Sequence, residues 1–103
     1  MTRFVLTRLA RQDLEEIWDY LAAENRQAAE RVFKGIEAAI RKLAKTPTLG
    51  HLREDLADRR NRFFLVYSYL IVYRSGTKPL EIIRILHASR DVRDLLGLDA
   101  DES

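Results

Sequence analysis

The chain has no cysteine among its 103 residues. Disulfides, thiolate nucleophiles and cysteine-ligated zinc are therefore excluded, and a reducing compartment suits the protein. Histidine is scarce: His51 and His87 stand far apart with no clustered carboxylates, so neither a metal centre nor another cofactor is expected. Long apolar runs are missing too. The longest, Phe63 to Tyr73, is interrupted by Ser68 and falls short of the roughly 20 residues that a membrane helix requires. Met1-Thr2-Arg3 leads into a short strand and not an apolar targeting segment. A soluble, cytoplasmic protein without membrane association is the expectation.

What is present is ordinary for one globular domain: 47% hydrophobic and 33% charged residues, enough for a modest core. Residues 1–98 read as a single domain and 99–103 as a frayed tail. The formal net charge of +2 hides an asymmetry. Ten basic and ten acidic residues balance over 1–58, whereas 59–93 carry Arg59, Arg60, Arg62, Arg74, Lys78, Arg84, Arg90 and Arg93 against Glu81 and Asp91. That local excess would attract phosphates or an acidic protein, although a solvated sheet face has the same composition.

Arg3 to Leu6 reads as a brief strand. Thr7 is suited to cap a helix in which Ala10, Leu14, Ile17, Trp18 and Leu21 recur at helical spacing, with Trp18 on the helix–sheet interface. Asn25 breaks this helix and caps a second, where Ala29, Phe33, Ile36, Ile40 and Leu43 form an apolar stripe. Thr46-Pro47 ends it, because a residue before proline is steered out of the α region. Residues 48–58 read as a loop around Gly50. Arg60–Val66, Tyr69–Ser75 and Leu80–His87 then read as strands joined by short connectors, hence antiparallel neighbours. The predicted class is α+β: an N-terminal strand and an antiparallel helical hairpin packed on a three- to four-stranded, mainly antiparallel sheet.

The last strand is the most informative segment. Ile82-Ile83-Arg84-Ile85-Leu86-His87 places one arginine inside an apolar run. Strict alternation sets Arg84 with Leu86 on one face and Ile83, Ile85 and His87 on the other. A mid-strand guanidinium costs desolvation unless it reaches water or an anion, so the expectation is a cation presented at the surface. His87, Arg90 and Asp91 follow at the strand end. His87 fits either a functional edge or a ring that terminates the sheet, and Asp91 either a helix cap or a partner for Arg90. Tyr73 and Arg74 read as ordering a sheet edge, and His51 as solvated.

In order and spacing the chain resembles the RelE/ParE superfamily of type II toxin–antitoxin toxins, and within it the ParE branch. The resemblance runs from Phe4 to Leu96. It is carried by Leu6-Thr7-Arg8-Leu9-Ala10, Asp13-Leu14-Glu15-Glu16-Ile17-Trp18-Asp19-Tyr20, Ala28-Ala29-Glu30-Arg31, Leu43-Ala44-Lys45-Thr46-Pro47 with Gly50, Tyr69 to Arg74, and Ile82 to Asp91. Thr7-Arg8 stand where many relatives have Ser-Pro, and Thr7 still supplies a cap.

The resemblance implies a growth-inhibiting toxin neutralised by a cognate antitoxin in a hetero-oligomer, with DNA engaged only through that complex. ParE-like members poison DNA gyrase; RelE-like members cleave mRNA in the ribosome, and fold alone does not choose between them. A ribonuclease would draw on His87 with Arg84, Arg62 and Arg90, and on Arg60 as a further phosphate clamp. Two RelE-like marks are missing: the lysine-rich loop is replaced by Arg53-Glu54-Asp55-Leu56-Ala57-Asp58, and Ala88-Ser89 follow His87 where a stacking aromatic would stand. A protein-binding gyrase poison is thus favoured, with Arg60, Arg62, Arg84, His87 and Arg90 contacting the target. Val92, Leu95, Leu96 and Leu98 would then form an apolar docking segment for the antitoxin.

Overall fold

A computed structural model describes residues 3–53 and 58–89. In chain order these form β1 (Phe4–Leu6), α1 (Arg8–Glu24), α2 (Arg26–Lys45), a 3-10 turn (Pro47–Leu49), β2 (His51–Arg53), β3 (Asp58–Val66), β4 (Tyr69–Arg74) and β5 (Leu80–His87). The fold is the expected α+β arrangement, with the strand count corrected upward. The sheet has five strands in the order β1-β5-β4-β3-β2. Part of the expected loop at 48–58 is strand β2, paired to β3 through His51 and Phe63. At the other edge β1 joins β5 in parallel, Phe4 opposite Leu80 and Leu6 opposite Ile82.

Both helix starts are built by the residues that mark them in sequence. The Thr7 hydroxyl accepts from the Ala10 amide at 3.0 Å and donates to the Ile83 carbonyl at 2.7 Å, so one side chain caps α1 and ties it to β5. Asn25 ends α1 with its own amide on the Leu21 carbonyl and caps α2 by accepting from Ala28. One residue therefore separates the helices, which fold back as a hairpin. Trp18 is a correction: it is half-buried and meets Phe33 of α2 edge-on, with ring centroids 5.2 Å apart. It joins the two helices and lies outside the helix–sheet core.

That core gathers Ala10, Ile36, Ile40 and Leu43 from the helices with Ile71, Tyr73, Ile82 and Ile85 from the sheet. Each large aliphatic side chain removed from water here stabilises the fold by about 1.5–3 kcal/mol. Ile82 and Ile85 both enter it although they are three apart, which simple alternation forbids. The register explains this: Tyr73 faces Ile82 while Val72 faces Arg84, leaving an extra residue in β5. This β-bulge corrects the face assignment for the strand, because Ile83 and Leu86 pack with Phe63 and Val72 in a second cluster.

Tyr73 also departs from expectation. It lies in the central strand and is fully buried. Its hydroxyl donates to the Pro47 carbonyl at 2.6 Å and accepts from the Gly50 amide at 2.7 Å. A Cβ on Gly50 would sit 2.7 Å from the Tyr73 ring, so only glycine lets the backbone come this close. Arg62 adds a third bond, donating to the Gly50 carbonyl at 2.8 Å. Burial raises the Tyr73 phenol above its ordinary pKa of 10.0, opposed by the Gly50 amide and the Arg62 charge.

Gly50→Ala is expected to lower unfolding stability by about 1–3 kcal/mol through this overlap, read as a reduced urea midpoint. Because the folded Tyr73 pKa lies above the unfolded one, the stability it contributes is intact below pH 10.0 and lost as pH rises through the folded value. Urea unfolding above pH 10 should therefore show a steep loss of stability that becomes shallower in Tyr73→Phe.

Candidate functional site

Arg84 is not a cation presented to solvent. Its Nε donates to Asp13 Oδ2 at 2.7 Å and its Nη2 to Asp13 Oδ1 at 2.9 Å, a two-point clamp across the layer between α1 and β5. The side chains are only 16% and 10% exposed. Asp13 Oδ2 also accepts the Ile85 amide at 3.0 Å. β1 pairs β5 only as far as Ile82, so this amide belongs to edge backbone that β1 is too short to cover. The hydrogen bonds it donates to Asp13 push the Arg84 pKa above its ordinary value, outweighing burial. Asp13 had a sequence signal of its own: it stands among Ala10, Leu14 and Ile17 on the apolar face of α1, where an unpartnered carboxylate would be costly.

The other nominated cations do not join Arg84. Arg62 is on β3, separated from β5 by β4, and its guanidinium is engaged with Gly50. Arg74 lies 3.6 Å from Glu81. The Arg60 side chain, Arg90, the Arg90-Asp91 pair, and the apolar set Val92, Leu95, Leu96 and Leu98 lie outside the described residues. His51 is exposed, as expected.

His87 is exposed at the end of β5, and its ring meets Tyr69 edge-on at 5.4 Å. Its Nδ1 accepts from the Ser89 amide at 3.1 Å, and the Ser89 hydroxyl lies 2.7 Å from the same nitrogen. An amide donor at Nδ1 places the neutral ring's proton on Nε2. The turn that follows is fixed by the Ala88 amide, which donates to the Ser68 carbonyl at 2.7 Å.

These groups border an open groove of about 730 Å³. One wall is a single face of α1: Asp13, Glu16, Ile17, Tyr20 and Leu21, at helical spacing. Val32 of α2 extends it, and the far side is Tyr67, Ser68 and Tyr69 with the end of β5. Tyr67 has a positive φ of 54°, rare for a bulky residue, and its ring lies 2.5 Å from where a Cβ on Gly35 would be. The hairpin tip thus leans onto α2 at a helical glycine. Tyr20 and Tyr67 remain 67% and 55% exposed, large apolar rings left at the groove mouth. Sequence reasoning did not find this site, because its walls come from α1 and from a turn some 50 residues away.

Among the described residues no group of His, Cys, Asp or Glu could hold a metal ion, and no helix is long and apolar enough to cross a membrane. Nor do the described side chains bring His87 together with a free guanidinium, as phosphate chemistry would require. A helical hairpin on a mainly antiparallel sheet, with an open, tyrosine-rimmed groove, defines a small α+β domain with an exposed candidate docking surface. Residues 4–92 match the family model for the ParE toxin of type II toxin–antitoxin systems, parDE, and the chain belongs to that family. It is 34% identical over 100 residues to Toxin ParE1 of Caulobacter vibrioides, covering 94% of this chain and 100% of that one. Toxin ParE1 of Mycobacterium tuberculosis is 27% identical over 93 residues, covering 88% and 94%. A solved structure of a chromosomal ParDE toxin–antitoxin system from P. aeruginosa shares the fold with a TM-score of 0.69 at 22% identity, covering 86% of this chain and 98% of that one.

Asp13→Ala is expected to cost about 3 kcal/mol, since it strands a half-buried guanidinium. The double variant Asp13→Ala/Arg84→Met should recover the charge-related part. It should remain about 1–2 kcal/mol below the parent, because the Ile85 amide still lacks an acceptor. Urea denaturation of the three proteins separates the two contributions.

Proposed function

We propose that this ParE-family toxin inhibits growth by binding DNA gyrase and stalling it on cleaved DNA, and that a cognate antitoxin neutralises it by occupying the groove beside α1. The observation that carries this reading is the family membership, joined to a site whose described residues offer binding surface without assembled acid–base chemistry. His87 has its Nδ1 occupied by Ser89, while Arg84 and Arg62 are engaged by Asp13 and Gly50. A ribosome-dependent endoribonuclease would need those cations free to receive phosphate charge. The target contacts are proposed to involve Arg60, His87 and Arg90, with Arg62 and Arg84 positioning the strands that present them. Val92, Leu95, Leu96 and Leu98 are proposed to extend the antitoxin interface. Apart from the DNA held by gyrase, DNA is engaged only through the toxin–antitoxin complex.

Purified toxin incubated with gyrase, ATP and supercoiled plasmid is expected to accumulate linear, cleaved DNA, while mRNA on programmed ribosomes stays intact. Cut mRNA with normal supercoiling would instead establish the ribonuclease. His87→Ala provides the second check. It should retain substantial growth inhibition as a gyrase poison, and abolition of both toxicity and mRNA cleavage would return His87 to a catalytic role.

A further inference from the structure

The charge in the groove points the opposite way from the charge in the surrounding sequence. Of the described residues that line it, two are carboxylates, Asp13 and Glu16, and none is Lys or Arg. The Arg84 guanidinium answers the first through the clamp and feels the second more weakly, through space. Among the described residues, two carboxylates against one guanidinium leave about one negative charge uncompensated, at exposed Glu16, which accepts a 3.3 Å hydrogen bond from Gln12 on its own helix. Close by stand the exposed rings of Tyr20 and Tyr67.

Three kinds of segment could fill such a groove, and physical chemistry ranks them. A wholly apolar one would cover the Ile17, Leu21 and Val32 wall but strand the Glu16 carboxylate away from water, which is costly. An acidic one would be repelled by Glu16. A segment with aliphatic side chains and one basic side chain satisfies both requirements, because tyrosine faces attract cations and the carboxylate pairs with them. Tyr67 strengthens the case: its ring leans on α2 at Gly35 yet remains 55% exposed, on a bulky residue held at positive φ.

We propose that the groove is read by a Lys or Arg of the antitoxin, set within an otherwise apolar segment, against the Tyr20 and Tyr67 rings and paired with Glu16. This deepens the antitoxin reading above and rests on it. The rest of the partner is free to be acidic and to complement the arginine-rich part of the chain. The single basic residue fixes the register of the segment, because a shift along the groove places its charge on aliphatic wall. Glu16 and Tyr20 are then specificity determinants for which antitoxin this toxin accepts.

The test uses the full-length toxin and the protein encoded beside it, purified separately and titrated calorimetrically. Glu16→Gln should weaken binding about 10-fold at low salt, by an amount that shrinks as salt is raised. Tyr20→Leu, which keeps apolar bulk and removes the ring face, should weaken it about 3- to 10-fold. Glu16→Lys should lose more, and an antitoxin whose groove-facing Lys or Arg is changed to Glu should bind that variant better than it binds the parent. Glu16 is exposed on a helix, so thermal melts of these variants should match the parent. Binding of Glu16→Gln and Glu16→Lys within twofold of the parent, with unchanged melts, overturns the proposal and leaves the antitoxin reading standing. No binding by the parent toxin overturns both.

Discussion

One carboxylate resolves a problem that the sheet creates for itself. β1 is three residues long and pairs only the first part of β5, so the rest of that strand faces the edge of the sheet. Asp13 reaches this edge from α1 and accepts both the Ile85 amide and the Arg84 guanidinium. The clamp determines where α1 sits over the sheet, and thereby where the α1 face from Glu16 to Leu21 stands relative to the hairpin tip. The groove exists because that distance is held. The β5 bulge belongs to the same device, since it lets Ile82 and Ile85 both enter the core on either side of the clamped arginine.

A second tie fastens the end of α2 to the sheet. Tyr73 rises from the central strand to bind Pro47 and Gly50 just after α2, and Arg62 closes on the Gly50 carbonyl. The chain is thus fastened where it leaves the helices and turns into the sheet. Both ties consume arginines that looked available for a target. What composition presents as a basic field is, at Arg62 and Arg84, a pair of internal ties, and at Arg74 a partly exposed ion pair with Glu81. The groove beside α1 consequently carries a local charge unlike that of the sequence around it.

Much of the architecture was legible because it rests on local rules. Thr7 and Asn25 can cap in sequence and do so in the structure, since capping needs only the next three residues. The apolar stripe of α2 and the three long strands follow from periodicities of 3.6 and 2. The family was legible for a similar reason, as its marks are ordered along the chain. The misreadings share a different cause. β2 is three residues long and takes its identity from β3, so nothing within it announces a strand. Trp18 found Phe33 and not the sheet, because its place on α1 depends on how the helices rotate against each other.

Sequence alone determined the two helices, their caps, the antiparallel strands and the family, because each is encoded by neighbours in the chain or by their order. Tertiary structure alone decided what the charged residues do. A guanidinium presented to solvent and one clamped by Asp13 have the same sequence signature, and the difference is a contact across 71 residues. It also decided that Tyr20 and Tyr67 would stand at one groove. The energy of burying or pairing a polar group depends on what surrounds it in space, and that is set only when the layers close.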